Sequence, residues 1–243
     1  MFASLLDHPP DLPVRDGLAQ VQEAIGTIGT AVLQSPPGSG KTTLVPPALA
    51  AVTAGRVVVT QPRRIAARAA AARLAHLIGQ PVGASVGFTV RGERKVSAAT
   101  RIEVVTAGVL LRRLQRDPEL PGVGAVVLDE VHERQVESDL ALGMLVDVRE
   151  ALRPDLAVLA MSATVEASRV ATALGPHTPV VTVPGALHPV QTLWCPPPAT
   201  AARLAPTGTT TAFLQHVAET TGRAMGEQDG DALVFLPGVR EVD

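Results

Sequence analysis

The chain has 243 residues, 46% hydrophobic and 2% aromatic, which predicts one large α/β domain, or one domain with part of a second, and excludes a wholly disordered chain. The single Cys195 excludes an intramolecular disulfide and a cysteine-rich zinc site, and no apolar run approaches the roughly 18 residues of a membrane span. The net charge of −2 conceals an asymmetry, because residues 56–116 hold twelve bases and two acids, whereas residues 117–150 hold two bases and nine acids. Such an asymmetry fits either solvated helix faces or a polyanion-binding segment beside a nucleotide- or metal-handling one.

Short apolar runs alternate along the chain with alanine-rich stretches of helical length. The predicted strands are residues 30–35, 56–61, 101–106, 124–130, 156–164 and 179–185. The predicted helices are residues 41–53, 64–78, 107–116, 137–152 and 166–174. The strands are nearly all apolar, as expected when helices cover both faces of a sheet. This alternation predicts a parallel α/β sheet with right-handed crossovers and helices on both faces.

The residue composition of the sequence changes after Pro184. We therefore expect a first domain over residues 1–185 and a connector rich in proline, threonine and glycine over residues 186–210, with one extended segment near 188–194. A second unit begins over residues 211–243. It is predicted to contain a helix at 212–225 and a buried strand at 232–238.

Unusual polar segments follow five of the predicted strands. They are, in chain order, "PPGSGKT", "QPRR", "TAG", "DEVH" and "SAT". Because the carboxyl ends of parallel strands meet at one edge of a sheet, these segments are predicted to share the edge where open α/β sheets bind ligands.

The segment "SPPGSGKTT", residues 35–43, fits a phosphate-binding loop, although Ser35 stands where glycine is usual. Its glycines allow successive backbone N–H groups to point inward, Lys41 can reach the β- and γ-phosphates, and the Thr42 hydroxyl can bind Mg²⁺. The predicted nucleotide-binding residues are Gly38, Ser39, Gly40, Lys41, Thr42 and Thr43.

The segment "DEVH" supplies the acidic partner that a phosphate loop requires. We assign Asp129 to hold Mg²⁺ through water and Glu130 to orient the attacking water, with Lys41 and His132 completing the catalytic group. A zinc site is disfavoured, because the second histidine of H-E-x-x-H is missing. His132 is therefore predicted to couple neighbouring groups by hydrogen bonds.

This ordered set of motifs resembles the DEAH-box helicases of superfamily 2, and most closely their bacterial HrpB-like branch. The resemblance rests on the loop at 35–43, "TQPRRIAARAAA" (60–71), "TAGVLLRRL" (106–114), "DEVH" (129–132) and "SAT" (162–164). It implies a P-loop RecA-like fold, with "DALVFLPGVREVD" beginning a second RecA-like domain, and ATP-dependent movement on RNA or RNA–DNA structures.

The resemblance also implies where nucleic acid binds. The implied contacts with a single strand of RNA or DNA are Arg63, Arg64, Arg91, Thr106 and Gly108. Ser162 and Thr164 resemble the motif that couples hydrolysis to domain movement. Arg68, Arg73 and Arg113 are instead expected to be solvated helix residues.

The chain shows no match to the family's motifs V and VI, the second of which carries an arginine finger. We therefore expect binding of ATP, or of other nucleoside triphosphates, with Mg²⁺, together with very slow hydrolysis, since such a finger contributes about 10³–10⁵ in rate. The alternative is a nucleotide-dependent RNA-binding module without motor activity. A small-molecule kinase is disfavoured, since no acceptor pocket or lid is evident. The remaining expectations are a cytoplasmic location, no membrane partner, no obligate oligomer, and a second RecA-like domain as partner.

Overall fold

The computed structural model describes residues 2–164, 166–185, 190–199, 202–206, 208–227 and 229–242. The chain divides into two compact units, Met1–Leu187 and His188–Asp243. None of the helices in the described part of the chain is long and apolar enough to cross a membrane.

An eight-stranded sheet forms the centre of the first unit. Its strands are β1 (Thr30–Gln34), β2 (Arg56–Gln61), β3 (Val86–Val90), β4 (Glu93–Lys95), β5 (Ile102–Thr106), β6 (Val123–Leu128), β7 (Ala157–Ser162) and β8 (Val180–Thr182). Their order is β4-β3-β5-β2-β6-β7-β1-β8, and every neighbouring pair is parallel except β3 and β4. The predicted α/β sheet is confirmed, with one antiparallel edge strand that was not predicted.

Seven α-helices belong to the described residues of this unit. They are α1 (Ala3–Asp7), α2 (Leu18–Thr27), α3 (Lys41–Val52), α4 (Arg64–Leu77), α5 (Ala107–Arg116), α6 (Val136–Ala151) and α7 (Ala167–Leu174). The five helices predicted from the sequence are α3 to α7, and each begins and ends within one residue of its predicted limits.

The sheet separates two aliphatic cores, as strand alternation requires. Along β2, Val57 and Val59 join the core formed with α2, α3 and α4, whereas Val58 joins the core formed with α5, α6 and α7. Along β6, Ala125 and Val127 face the first core. Helices therefore cover both faces, as predicted from the nearly continuous apolar strands.

Three features of the first unit were not predicted from the sequence: α1, α2 and the β3–β4 hairpin. Helix α2 buries only Val21, Ala24 and Ile25, so its apolar stripe is short. Strand β3 contains Gly87, which weakens a strand signal, yet its backbone lies so close to the Lys95 carbonyl that a Cβ would collide with it. The glycine therefore permits the hairpin that composition alone disfavours.

The second unit contains α8 (Thr211–Glu227) and a two-strand pair, β9 (Leu204–Ala205) with β10 (Gly208–Thr209). Helix α8 confirms the predicted helix at 212–225. The strand predicted at 232–238 is wrong, because residues 231–236 have no regular secondary structure. No described strand pairs with them, and an unpaired strand leaves its backbone groups unsatisfied. Of the predicted extended segment, residues 190–194 form no strand and 188–189 lie outside the described residues.

Candidate functional site

The five unusual segments lie at one edge of the sheet, as predicted. They follow the carboxyl ends of β1, β2, β5, β6 and β7, and these strands are contiguous in the order β5-β2-β6-β7-β1. The fold therefore brings the loop at 35–40, the acids after β6 and the basic segment after β2 into one neighbourhood.

The loop between β1 and α3 has the backbone that its glycines predict. Gly38 and Gly40 have φ angles of +77° and +89°, in the left-handed region that favours glycine. A Cβ at Gly40 would also lie 2.6 Å from Cδ1 of Leu12. The hydroxyls of Ser35 and Ser39 are buried and have no hydrogen-bond partner among the described residues. The loop thus carries buried polar groups that an oxygen-rich anion can satisfy.

Lys41 is the first residue of α3, and only 5% of it is exposed. Its Nζ donates hydrogen bonds to the carbonyls of Ser35 at 2.7 Å and Pro36 at 3.0 Å. Burial lowers the pKa of Lys41, and the charges of Glu130 and Asp129 oppose that effect without cancelling it. Because burial disfavours the charged form of Lys41, an anionic ligand bound beside it would stabilise that charge.

Asp129 follows β6 and is 2% exposed. Its Oδ2 accepts hydrogen bonds from the Thr42 hydroxyl at 2.6 Å and from Gln61 Nε2 at 2.5 Å. Burial raises the pKa of Asp129 to about 6, and the charge of Glu130 acts in the same direction against the hydrogen bonds. The acid thus meets the loop threonine directly, as expected for two groups that share a cation.

Gln61 was not predicted as a site residue. It is the last residue of β2, whose register with β6 pairs Thr60 with Leu128, so Gln61 lies beside Asp129. The Thr60 hydroxyl also accepts a hydrogen bond from the Asp129 N–H at 3.3 Å. Strand register could have revealed both contacts, had the order of strands been known.

Glu130 adopts φ +56°, a left-handed conformation that costs a non-glycine residue roughly 1–3 kcal/mol. Its N–H donates to Asp129 Oδ1 at 2.9 Å. This backbone turn separates the two acids, so that Asp129 is buried while the Glu130 side chain is 31% exposed. The conformation therefore gives adjacent carboxylates different environments.

His132 connects the segment after β6 to the segment after β7. Its Nδ1 accepts a hydrogen bond from the Ala163 N–H at 3.2 Å and lies 3.4 Å from Glu130 Oε2. Accepting that bond requires an unprotonated Nδ1. Beyond Ala163, the Ser162 hydroxyl accepts from the Thr164 N–H at 3.2 Å. The predicted coupler thus makes direct contact with the predicted coupling segment.

A cavity of about 350 Å³ adjoins the loop. It is lined by Pro10, Leu12, Pro37, Gly38, Gly40, Lys41, Thr42, Thr43, Arg73 and Glu130. Arg73 is exposed on α4, as predicted, and it also forms part of this wall. Residues 10 and 12 carry no sequence signal, because they reach the cavity only through the packing of the amino-terminal segment.

The predicted nucleic-acid residues occupy neighbouring positions on the sheet. Arg63 and Arg64 are exposed where β2 meets α4, and Arg91 is exposed in the turn between β3 and β4. Thr106 is the N-cap of α5, and Gly108 lies in its first turn. Since β2, β5 and β3 are adjacent, these residues form one basic surface at the sheet's edge.

The expectation that Arg113 is a solvated helix residue is wrong, whereas Arg68, with 41% of its side chain exposed, fits it. Arg68 pairs with Glu93 at 2.6 Å, and Arg113 pairs with Glu103 at 2.5 Å. Glu103 is fully buried, so its ion pair with Arg113 fixes that side chain at the last turn of α5. The structure thus separates arginines that hold the fold from those that are free to contact a ligand.

Residues 19–173 match the DEAD/DEAH box helicase family. The chain belongs to this family. It is 42% identical over 233 residues to the ATP-dependent RNA helicase HrpB of Escherichia coli (strain K12), a match that covers 95% of the chain and 27% of HrpB. It is 36% identical over 246 residues to the probable ATP-dependent RNA helicase DHX34 of Mus musculus, covering 99% of the chain and 21% of that protein.

The crystal structure of the Escherichia coli DEAH/RHA helicase HrpB shares this helicase fold. It matches with a TM-score of 0.83 and 41% identity, covering 96% of this chain and 28% of that one. The RecA-like architecture predicted from the sequence is therefore confirmed. The chain spans about a quarter of the length of these relatives.

The donor set of this helicase chain fits Mg²⁺, the ion that its family implies. Thr42 and Asp129 offer the oxygen ligands that Mg²⁺ prefers, and Glu130 adds a second negative charge nearby. The raised pKa of Asp129 shows that its buried charge is under-compensated by protein groups alone. A divalent cation would supply that compensation.

Proposed function

We propose that this chain is the ATP-binding part of an ATP-dependent nucleic-acid helicase. The observation that carries the proposal is the hydrogen bond between Thr42 of the loop and the buried Asp129, formed beside the buried Lys41. That combination joins a phosphate cradle to a cation-binding acid. Because the chain spans about a quarter of its relatives, the motor activity belongs to the proposal and not to the family assignment.

Each residue of the site has a role in binding ATP, or another nucleoside triphosphate. Backbone N–H groups of residues 38–43 would surround the phosphates, and Lys41 would neutralise the β- and γ-phosphates. Thr42 and Asp129 would hold Mg²⁺, which neutralises charge on the phosphate oxygens when bound. Glu130, partly exposed at the cavity wall, would orient the attacking water.

The basic surface would bind the backbone of single-stranded RNA or DNA. Arg63, Arg64 and Arg91 are exposed cations, and the whole chain is only 2% aromatic, which leaves few side chains for stacking bases. Contacts of this kind fix position on the strand and carry no base information. The hydrogen bond from Ala163 to His132, with Ser162 and Thr164 beyond it, would transmit changes at the triphosphate to the rest of the protein.

The domain assignment forms part of the same proposal. Residues 1–185 would be the first RecA-like domain, residues 186–210 the connector, and residues 211–243 the start of the second RecA-like domain, which is the expected partner across the ATP site. The relatives' greater length supports this assignment, since most of each relative lies outside the matched part.

ATP hydrolysis tests the proposal, measured with and without single-stranded RNA. Glu130→Gln should retain ATP binding and lose hydrolysis, because the side chain keeps its shape and loses its charge. Glu133→Gln is the matched control, since Glu133 is exposed and lies outside the cavity lining. Equal effects of the two substitutions would contradict the role of Glu130. Binding of ATP and RNA without any hydrolysis would favour the RNA-binding module for the isolated chain.

A further inference from the structure

Two hollows adjoin each other along α5, away from the ATP site. One, of about 340 Å³, lies between α5 and the β3–β4 turn, where Arg91 and Arg112 line it. The other, of about 570 Å³, lies where β2, β5 and β6 begin, at the sheet edge opposite the loop. Arg113 and Arg116 line both hollows. The two therefore form one continuous surface, which we call the α5 strip.

The α5 strip carries an excess of positive charge, since Asp117 is the one acidic residue among the described residues that line the two hollows. Arg91, Arg112 and Arg116 are all exposed, and no described carboxylate lies within 4.0 Å of their nitrogens. Arg112 and Arg116 are four residues apart and so share one face of the helix. The dipole of α5 favours cations in its last turn, which accounts for Arg116. It does not account for Arg112 or for Arg91, which lies on another element.

A buried ion pair makes the floor of the α5 strip rigid. Glu103 is fully buried and accepts hydrogen bonds from Arg113 at 2.5 and 3.0 Å and from Arg56 at 2.8 Å. These two arginines are therefore committed to the fold. The exposed arginines, by contrast, stand on a fixed helix with their charges directed to solvent, an arrangement suited to binding an anion without reorganisation.

We propose that the α5 strip, formed by Arg91, Arg112 and Arg116, is a further binding site for the phosphate backbone of a single nucleic-acid strand. This inference rests on the proposed function and extends it, since Arg91 and Gly108 belong to the proposed primary contact. Arg112 Nε donates to the Gly108 carbonyl at 3.0 Å, so the two surfaces meet without a gap. Helix α5 has 10 residues and is about 15 Å long, which is the length added to the strand's path.

An extended strand fits the α5 strip better than a compact anion. The two hollows share Arg113 and Arg116, and the smaller one includes Arg91 of the proposed primary contact. The strip's cations also lie along the helix. Contacts to phosphates alone imply binding that depends strongly on salt and little on base sequence.

The test is the salt dependence of RNA binding, measured by fluorescence anisotropy with labelled uridine oligomers. The double variant Arg112→Ala/Arg116→Ala should reduce the slope of log affinity against log salt by about 1.4, since each lost phosphate contact on a single strand contributes about 0.7. The matched control is Arg169→Ala/Arg223→Ala, which removes the same charge from exposed residues outside both hollows. The lysine pair Arg112→Lys/Arg116→Lys should restore the slope.

The outcomes separate the two proposals. A reduced slope with unchanged ATP binding supports the α5 strip. The opposite outcome is that the double variant Arg112→Ala/Arg116→Ala shows the same salt slope as the control variant, while Arg63→Ala still weakens RNA binding. That result overturns the proposal for the α5 strip and leaves the proposed function standing. Failure of the unaltered chain to bind RNA at all would overturn both. Inorganic pyrophosphate that binds the strip while longer oligomers gain no affinity over short ones would indicate a small-anion site and overturn the strand.

Discussion

The substitution Asp129→Asn tests whether ionisation of the buried Asp129 carboxylate lowers the free energy of unfolding. Burial raises the pKa of Asp129 from 3.8 to about 6. The native protein therefore binds this proton more tightly than the unfolded chain. As a result, the free energy of unfolding falls as the pH rises from 3.8 through about 6, and the full penalty is present above that range. Asparagine cannot ionise, so the variant lacks this loss.

The magnitude follows from the pKa change. Each unit is equivalent to about 1.4 kcal/mol, so the ionised Asp129 costs about 3 kcal/mol at pH 7. Asparagine can still accept hydrogen bonds from Thr42 and Gln61 with its amide oxygen, but it loses the bond from the Glu130 N–H, at about 1 kcal/mol. The variant should therefore be about 2 kcal/mol more stable than the parent at pH 7 and slightly less stable at pH 4.

The assay is urea unfolding of both proteins between pH 4 and pH 7, followed by far-ultraviolet circular dichroism. Taking the difference between variant and parent removes the titrating groups that do not interact with Asp129, including Glu103, whose pKa of about 2 places its effect at lower pH. Parallel pH profiles for the two proteins would refute the argument. The same variant should lose Mg²⁺-dependent ATP binding, which separates a gain in stability from a gain in function.

Three further predictions concern the rest of the chain. Glu103→Gln should lower the free energy of unfolding by about 3–5 kcal/mol, because it removes a buried partner of two arginines. Gly124→Ala should destabilise strongly, since its Cβ would collide with the Ala54 carbonyl, whereas Gly143→Ala has no neighbour within 4 Å and should be neutral or gain up to about 1 kcal/mol. Limited proteolysis should cleave first between residues 184 and 211.

A different result would contradict each of these three predictions. The parent's advantage over Glu103→Gln should disappear as the pH falls from 4.5 to about 2, because the pKa of Glu103 is lowered. A difference that persists at low pH would contradict the ion pair. Comparable stability of the two alanine variants would contradict the close backbone approach at Gly124. First cleavage within residues 1–185 would contradict the proposed boundary.

The central strands and helices could be predicted because they are long, apolar and regularly spaced. Helices α3 to α7 could be predicted from the alanine-rich stretches of helical length that lie between the strands. The β3–β4 hairpin could not be predicted in the same way, since Gly87 is justified only by the nearby Lys95 carbonyl. The strand at 232–238 failed for the opposite reason. Its composition favours a strand, but no described strand pairs with it.

The residues of the candidate site likewise divide into those that could be placed from the sequence and those that could not. Residues that belong to local motifs, such as Lys41 and Asp129, could be placed at one edge from sequence order alone. Gln61 and Arg73 could not, because their contacts depend on strand register and helix orientation. Likewise, the buried charge of Glu103 distinguishes committed arginines from free ones only once the sheet is known.

Titration of ATP into the chain in the presence of Mg²⁺ tests the central claim most directly. The sequence contains two lysines, so Lys41→Ala has a natural control in the exposed Lys95→Ala. The account predicts saturable ATP binding by the unaltered chain and by Lys95→Ala, and a loss of affinity of tenfold or more in Lys41→Ala, about 1.4 kcal/mol or more. Equal ATP affinity in all three proteins would contradict the assignment of residues 35–43 as the phosphate-binding loop.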